Sequence, residues 1–301
     1  MRTGNCPCPT ILSFSDVGLP LILRLLSHSR ANIRSIMKIL VIMGSPRKGN
    51  TYRAAERIRE ILQEHGPVEW ECVMLRDVNL EQCRGCYTCF PRGEENCPIK
   101  DDASLLEQKM KDADGVILAS PVYGFQVSGL MKVFIDRHSY IFHRPRFFRQ
   151  KALLLTTAGI GGIKDVLDYL DLVARIWGFE VAARVGILTS ATMDPLPAHR
   201  VEENERKLRK AAEAFLAALR RGTRVKPGFM DVMFFHVGRA GTADTRDLSP
   251  ADHTYWTDQG WLQEGRRYFV DVPVNPLYHA IGTVVEWYLR RRFRKDQVIA
   301  S

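Results

Sequence analysis

The sequence predicts a doubly wound α/β domain, and three observations carry that prediction. Apolar runs of strand length recur along the chain, amphipathic stretches of helix length alternate with them, and the first run breaks in a Gly-Ser-Pro turn that leads into a helix.

"MKILVIMGSP" at 37–46 is continuously apolar, as a strand buried on both faces must be, and the charged amphipathic stretch at 50–64 is the helix it feeds. Apolar runs at 68–75, 115–121, 151–159 and 181–190 read as four further strands. Helical patterns lie at about 102–111, 128–139, 162–177 and 202–220, with Gly178 placed to stop the helix that ends at Trp177. Five parallel strands and their helices thus define one domain over residues 37–221. In such sheets ligands bind at the carboxyl ends of the strands.

The flanks differ. Residues 1–36 carry an apolar run at 17–26 that Pro20 and Arg24 interrupt, too short for a membrane span and followed by no small-residue cleavage site. This segment is expected to be a disordered extension or the product of a start codon upstream of Met37, and its Cys6 and Cys8 are given no role. Residues 222–301 have scattered Trp, Tyr, Gly and Pro and no clean period, so an irregular extension packed on the α/β body or on a second subunit is expected. It closes with a helix at about 277–295.

The net charge of +9 admits acidic partners without choosing among them. Its clusters, "RRGTRVK" at 220–226 and "LRRRFRK" at 289–295, lack the aromatic interleaving of a groove for single strands, so no nucleic-acid partner is expected. In the closing helix Ile281, Val284, Val285, Tyr288 and Leu289 recur at near-helical spacing. That pattern suits a helix packed on its own domain or a dimer mate, or one lying on an anionic membrane surface; stable insertion is not expected.

The strand ends hold the candidate site. After the first strand, Ser45, Arg47, Asn50 and Thr51 bring hydroxyls, an amide and a cation to a helix N-terminus, as a terminal phosphate requires, although a capped helix would look similar. Neither the G-x-G-x-x-G fingerprint nor a Walker loop is present. The third strand ends in "SPVYGFQVSGLMKVFIDR", where Pro121, Val122, Tyr123, Gly124 and Phe125 suit a flat conjugated ring; a core role for the two aromatics is the alternative. The fourth ends in "TTAGIGG", where Thr157, Gly159, Gly161 and Gly162 let the backbone approach a ligand or make a plain turn.

These three blocks resemble the FMN-binding loops of the flavodoxin-like NADPH-dependent FMN reductase superfamily, over about residues 37–221. The resemblance implies a flavodoxin-like fold, with Ser45, Arg47, Asn50 and Thr51 on the FMN phosphate and Pro121 to Phe125 and Thr157 to Gly162 along the isoalloxazine ring.

"CRGCYTCFPRGEENCP" at 83–98 spaces Cys83, Cys86, Cys89 and Cys97 as C-x2-C-x2-C-x7-C. Four thiolates in so short a loop suit a 4Fe-4S cluster, each iron taking one sulfur. A zinc site, which more often uses two separated C-x2-C pairs, and a loop without metal remain open. Disulfides are disfavoured, because an α/β domain of this kind without an export signal fits a reducing, cytoplasmic setting. The iron-sulfur flavoproteins have a loop of similar spacing after the second strand and a continuation similar to "CPIKDDASLL", which implies that these four cysteines are cluster ligands. The same resemblance implies a homodimer or homotetramer, for which the aromatic stretch at 255–269 offers interface anchors. Cys72 reads as a core residue, and His138 and His143 as structural histidines.

Two redox functions follow. One is an FMN protein with a 4Fe-4S cluster, passing electrons between a one-electron carrier such as ferredoxin and a small acceptor. The other is an NAD(P)H-dependent reductase of flavin, quinone or nitro compounds without a cluster. In both the chemistry belongs to the cofactors, and no catalytic side chain is expected.

Overall fold

In a computed structural model of the chain, the described residues are Met1, 36–189 and 196–300, the side chains of 294–300 excepted. Two compact units are distinguished, residues 1–36 and 37–301. The expected N-terminal extension, with Cys6 and Cys8, falls almost wholly outside the described residues, as does the end of the run at 181–190.

The second unit is built on a parallel sheet. Its strands and helices run β1 (Met37–Met43), α1 (Asn50–Gln63), β2 (Val68–Met74), a short α2 (Cys89–Arg92), α3 (Ala103–Asp112), β3 (Gly115–Tyr123), a two-residue β4 (Gln126–Val127), α4 (Gly129–Arg137), β5 (Lys151–Ala158), α5 (Ile163–Trp177), β6 (Glu180–Leu188) and α6 (Ala198–Arg221). The parallel strands lie in the order β2-β1-β3-β5-β6, and β4 pairs antiparallel with the end of β3. Five parallel strands match the sequence expectation. The hairpin of β3 and β4 is an addition to it, too short to leave an apolar signal.

Alternation along the strands builds two cores. Leu40 and Ile42 of β1, Val116 and Leu118 of β3, and Ala152 and Leu154 of β5 face α3, α4 and α5. Ile39, Val41 and Met43, Ile117 and Ala119, and Leu153 and Leu155 face α1 and α6. Both faces of the sheet are covered, which is why the central strands β1, β3 and β5 are largely apolar rather than alternating, while the edge strand β2 alternates. Trp177, fully buried at the end of α5, meets the rings of Phe134, Phe142 and Phe147 edge-on or tilted. Gly178 closes that helix with φ +103°, as expected.

The extension is not irregular. It carries α7 (Phe229–Ala243), α8 (Pro250–Asp258) and α9 (Pro276–Ala300). The period was hidden because α7 and α8 bury bulky aromatics in a small core of their own, made of Phe235, Trp256, Trp261, Tyr268 and Phe269 against Phe148. The aromatics of 255–269 are therefore largely internal, with Trp256 and Trp261 each 2% exposed, and do not serve as interface anchors. α9 rests on α7, where Glu286 accepts from His236 Nδ1 at 2.8 Å and from Arg239 Nε at 2.8 Å.

Candidate functional site

At the carboxyl edge of the sheet β1, β3 and β5 end side by side, and hydroxyl groups tie their loops together. Ser128 caps α4 by accepting from the Met131 amide at 3.2 Å, and its Oγ donates to the Gly44 carbonyl at 2.6 Å. Its own amide donates to Ser120 Oγ at 3.0 Å, while Thr156 Oγ1 donates to the Ser120 carbonyl at 2.8 Å. Thr51 and Thr157, both buried, share a hydrogen bond of 2.7 Å between their hydroxyls, joining the start of α1 to the end of β5. Ser120, Ser128 and Thr156 were not singled out from sequence. Ser128 had a signal, since Ser before an apolar helical pattern is an N-cap.

The β1–α1 loop is wound tightly: Ser45 Oγ donates to the Arg47 carbonyl at 2.7 Å and accepts from the Arg47 amide at 3.4 Å. Arg47 is exposed, Asn50 accepts from the Arg53 guanidinium, and Thr51 faces inward to Thr157. Gly49 precedes α1 and the first turn carries no acid, so nothing on the helix itself opposes the positive end of its dipole. The loop offers an anion a helix N-terminus with a cation beside it.

The second and third loops meet. Gly124 and Phe125 form the turn between β3 and β4 with φ of +55° and +62°, both left-handed, as a tight hairpin turn of this hand requires. For Phe125 that conformation costs about 1–3 kcal/mol, and it throws the ring outward. Gly162 lies against this turn. A Cβ there would stand 2.7 Å from Val122 Cγ1 and 3.1 Å from Phe125 Cα, and its φ of +85° disfavours any side chain. Pro121 is buried, whereas Tyr123 is 48%, Phe125 69% and Ile160 95% exposed, with Gly159 exposed beside them. The two aromatics are thus not core residues. An exposed apolar shelf beside an anion site is what a flat ring bearing a phosphate chain can cover.

The cysteine loop follows β2. Cys83, Cys86, Cys89 and Cys97 are all free thiols and all line one cavity of about 420 Å³, together with Tyr87, Phe90 and Arg137. Among the described residues no group of three or more His, Cys, Asp or Glu is arranged to hold a single metal ion. The environments of the thiols differ. The Thr88 hydroxyl donates to Cys86 Sγ at 3.4 Å and lowers that thiol's pKa, whereas burial, opposed by Arg144, pushes Cys89 up to about 11. Arg137, which sequence reasoning passed over inside the apolar "FIDR", places Nη1 3.7 Å from Cys97 Sγ.

Behind the loop lies a buried ionic cluster. Arg146 donates to Glu94 at 2.8 Å and to Glu107 at 2.7 Å, and Glu107 accepts from Tyr140 OH at 2.5 Å. Burial works to raise the Glu107 carboxyl, but Arg146, Lys111 and Tyr140 outweigh it and hold it at about 2. His138 is fully buried with its ring nitrogens 2.7 Å from the Phe134 carbonyl and 2.9 Å from that of Ala103; His143 Nδ1 donates to Asp252 at 3.0 Å. Both are structural. Cys72 is half-buried in the α1 and α6 core.

A doubly wound parallel sheet whose carboxyl edge pairs a helix N-terminus free of acids with exposed aromatic turns defines an α/β protein with a candidate ligand site at the strand ends. A sequence profile of the NADPH-dependent FMN reductase family matches residues 37–194, and the chain belongs to that family; it is a flavin-dependent oxidoreductase. It is 29% identical over 228 residues to an iron-sulfur flavoprotein of Archaeoglobus fulgidus, covering 75% of this chain and 100% of the relative. It is 43% identical over 102 residues to an iron-sulfur flavoprotein of Methanocaldococcus jannaschii, covering 34% of this chain and only 51% of that relative. Among solved structures, RosB with a bound 8-demethyl-8-formylriboflavin 5′-phosphate intermediate superposes with a TM-score of 0.51 at 16% identity, over 62% of this chain and 79% of that one, a likeness of fold alone.

Two outcomes are expected. Gly162→Ala forces the β5–α5 loop off the Val122–Phe125 turn and lowers stability by about 1–3 kcal/mol in urea denaturation. Glu107, whose folded pKa lies below its unfolded value of 4.5, contributes stability that is present above about pH 4.5 and lost as pH falls toward about 2. The melting temperature should therefore fall more steeply below pH 4.5 in the native protein than in Glu107→Gln, a comparison that calorimetry makes directly.

Proposed function

We propose that this protein holds FMN across the edge formed by β1, β3 and β5 and a 4Fe-4S cluster in the loop of Cys83, Cys86, Cys89 and Cys97, and passes electrons between a one-electron carrier and a small acceptor. The observation that carries the reading is that all four cysteines, spread over fifteen residues, line a single cavity. The names of its relatives point the same way. When bound, the two groups would supply interconversion of paired and single electron transfers.

The chain's own work is positioning. Ser45, Arg47, Asn50 and Thr51, at an N-terminus free of acids, would receive the phosphate; Pro121, Val122, Tyr123, Gly124 and Phe125 on one side and Thr157, Gly159, Gly161 and Gly162 on the other would line the ring. Because Tyr123, Phe125 and Ile160 stand at the surface, the ring would stay accessible to a small acceptor or to NAD(P)H. Arg137 places a guanidinium beside Cys97, where it would stabilise thiolate charge. A ferredoxin-type donor and a reducing, cytoplasmic setting accord with the unpaired thiols. Among the described residues no helix is long and apolar enough to cross a membrane. The second reading, an NAD(P)H-dependent reductase without a cluster, rests on the family match.

Self-association belongs to the same proposal, with α9 as its surface. Leu277, Ile281, Val284 and Tyr288 are exposed at spacings of four, three and four residues, on the side of α9 opposite Gly282 and Glu286, which pack on α7. A helix that lays one side on its own domain and leaves a row of apolar residues exposed on the other is suited to bury that row against a second copy.

The deciding measurement is an anaerobic preparation with its absorption spectrum and flavin, iron and sulfide assays. About four irons and four sulfides per chain with one FMN are expected; FMN alone would leave the cluster-free reductase. For the assembly, Val284→Glu is expected to convert a dimer or tetramer to monomer in sedimentation velocity, and a native protein that is already monomeric would end that part of the proposal.

A further inference from the structure

The cysteine loop is fastened by charges that come from distant parts of the chain. Arg137, buried at the end of α4, donates to Asp101 through Nε and Nη2, each at 2.8 Å. Arg144, whose side chain is 2% exposed, donates through Nη2 to the Cys89 carbonyl at 2.9 Å and to Glu94 at 2.7 Å. Its other terminal nitrogen, Nη1, is bonded to Asp252 of α8, itself 3% exposed.

The contact between α8 and this segment is extensive. Trp256 Nε1 donates to the His143 carbonyl at 2.7 Å, Tyr255 OH donates to the Pro145 carbonyl at 2.9 Å, and the Arg146 guanidinium lies 5.3 Å from the Tyr255 ring centroid. On the other side of the same segment, the Phe90 ring stacks on His143 at 4.1 Å. Residues 143–146 thus stand between the extension and the cysteine loop and are bonded to both.

A buried guanidinium shared between two carboxylates is stable only while both remain. Glu94 also accepts from Arg146, so without the charge at position 252 Arg144 keeps only a shared carboxylate, its Nη1 loses its charged acceptor, and the arginine that would loosen is the one holding the Cys89 carbonyl. We propose that Asp252 is a positioning residue for the four-cysteine loop, acting through Arg144, so that the C-terminal extension sets how tightly that loop is closed. The consequence for a bound cluster rests on the function proposed above; the fastening of the loop does not.

The test uses full-length protein treated with chelator and then with N-ethylmaleimide, with labelling followed cysteine by cysteine by mass spectrometry. In Asp252→Asn the labelling rate of Cys89 should rise by roughly tenfold, the change that about 1.4 kcal/mol of closing free energy produces, while Cys72 in β2 keeps its native rate. Asp252→Glu, which retains the charge, should bring Cys89 back toward the native rate. Tyr255→Phe, which removes a single hydrogen bond, gives a smaller rise at Cys89 and serves if Asp252→Asn does not fold. After anaerobic reconstitution with iron and sulfide, Asp252→Asn should also shift the midpoint potential relative to Asp252→Glu. Equal labelling of Cys89 in folded native and Asp252→Asn proteins would overturn the proposal, as would a rise at Cys72 of the same size. Failure of the native protein to take up iron would remove the cluster and leave the labelling result standing.

Discussion

At the carboxyl edge of a parallel sheet the strands run out of partners before their polar groups do, and the carbonyls and amides of the diverging loops must be satisfied by something else. Here Ser120, Ser128 and Thr156 do it, and the Thr51 and Thr157 hydroxyls, bonded to each other, tie two of the loops together. Short hydroxyl side chains suit this place because they reach only neighbouring backbone, so they fix loops within a few ångströms without adding bulk that a ligand would have to displace. The consequence is a rigid rim. Against it the chain can hold Phe125 in a left-handed conformation and press Gly162 onto Val122, because neither loop can move away to relieve the strain.

A different physics governs the other half of the site. Loop 81–100 has few apolar residues to bury, chiefly Phe90, Ile99 and the thiol of Cys89, and burial of so little surface does not offset the entropy of ordering twenty residues. Order comes from long-range charge pairs instead: Arg137 with Asp101, and Arg144 and Arg146 with Glu94, Glu107 and Asp252. Each guanidinium is planar and multidentate, so one arginine can join a carboxylate, a backbone carbonyl and a second segment, which a lysine ammonium does less specifically.

What was legible in the sequence follows from this division. The sheet and its two helical layers were readable because burial on both faces writes a long apolar run, and period alone reveals it. The rim loops were readable because Gly, Pro, Ser and Thr gather where strands end. The β3–β4 hairpin was not, since two residues carry no period, and α7 and α8 were hidden by aromatic residues that their own small core consumes. Arg137, Arg144 and Asp252 escaped notice for a further reason: in one dimension a buried ion pair looks like two solvated surface charges, and Arg144 and Asp252 are separated by 108 positions.

That separation bears on why the extension exists at all. An α/β domain of this class has a complete double-layered core without it, as the two clusters drawn from residues 37–219 show. What the core does not supply is an acceptor for Arg144 Nη1 on the side away from Glu94, a carboxylate already shared with Arg146, and a buried guanidinium N–H left without an acceptor is costly. α8 brings a second carboxylate together with Trp256 and Tyr255, whose polar atoms bond the backbone on either side of Arg144. The aromatic core of Trp256, Trp261 and Phe269 then anchors α8 against Phe148, which stands at the end of the same segment. The extension is thus bound to the domain at the one segment that also holds the cysteine loop, and its folding and the ordering of that loop are coupled through a shared arginine.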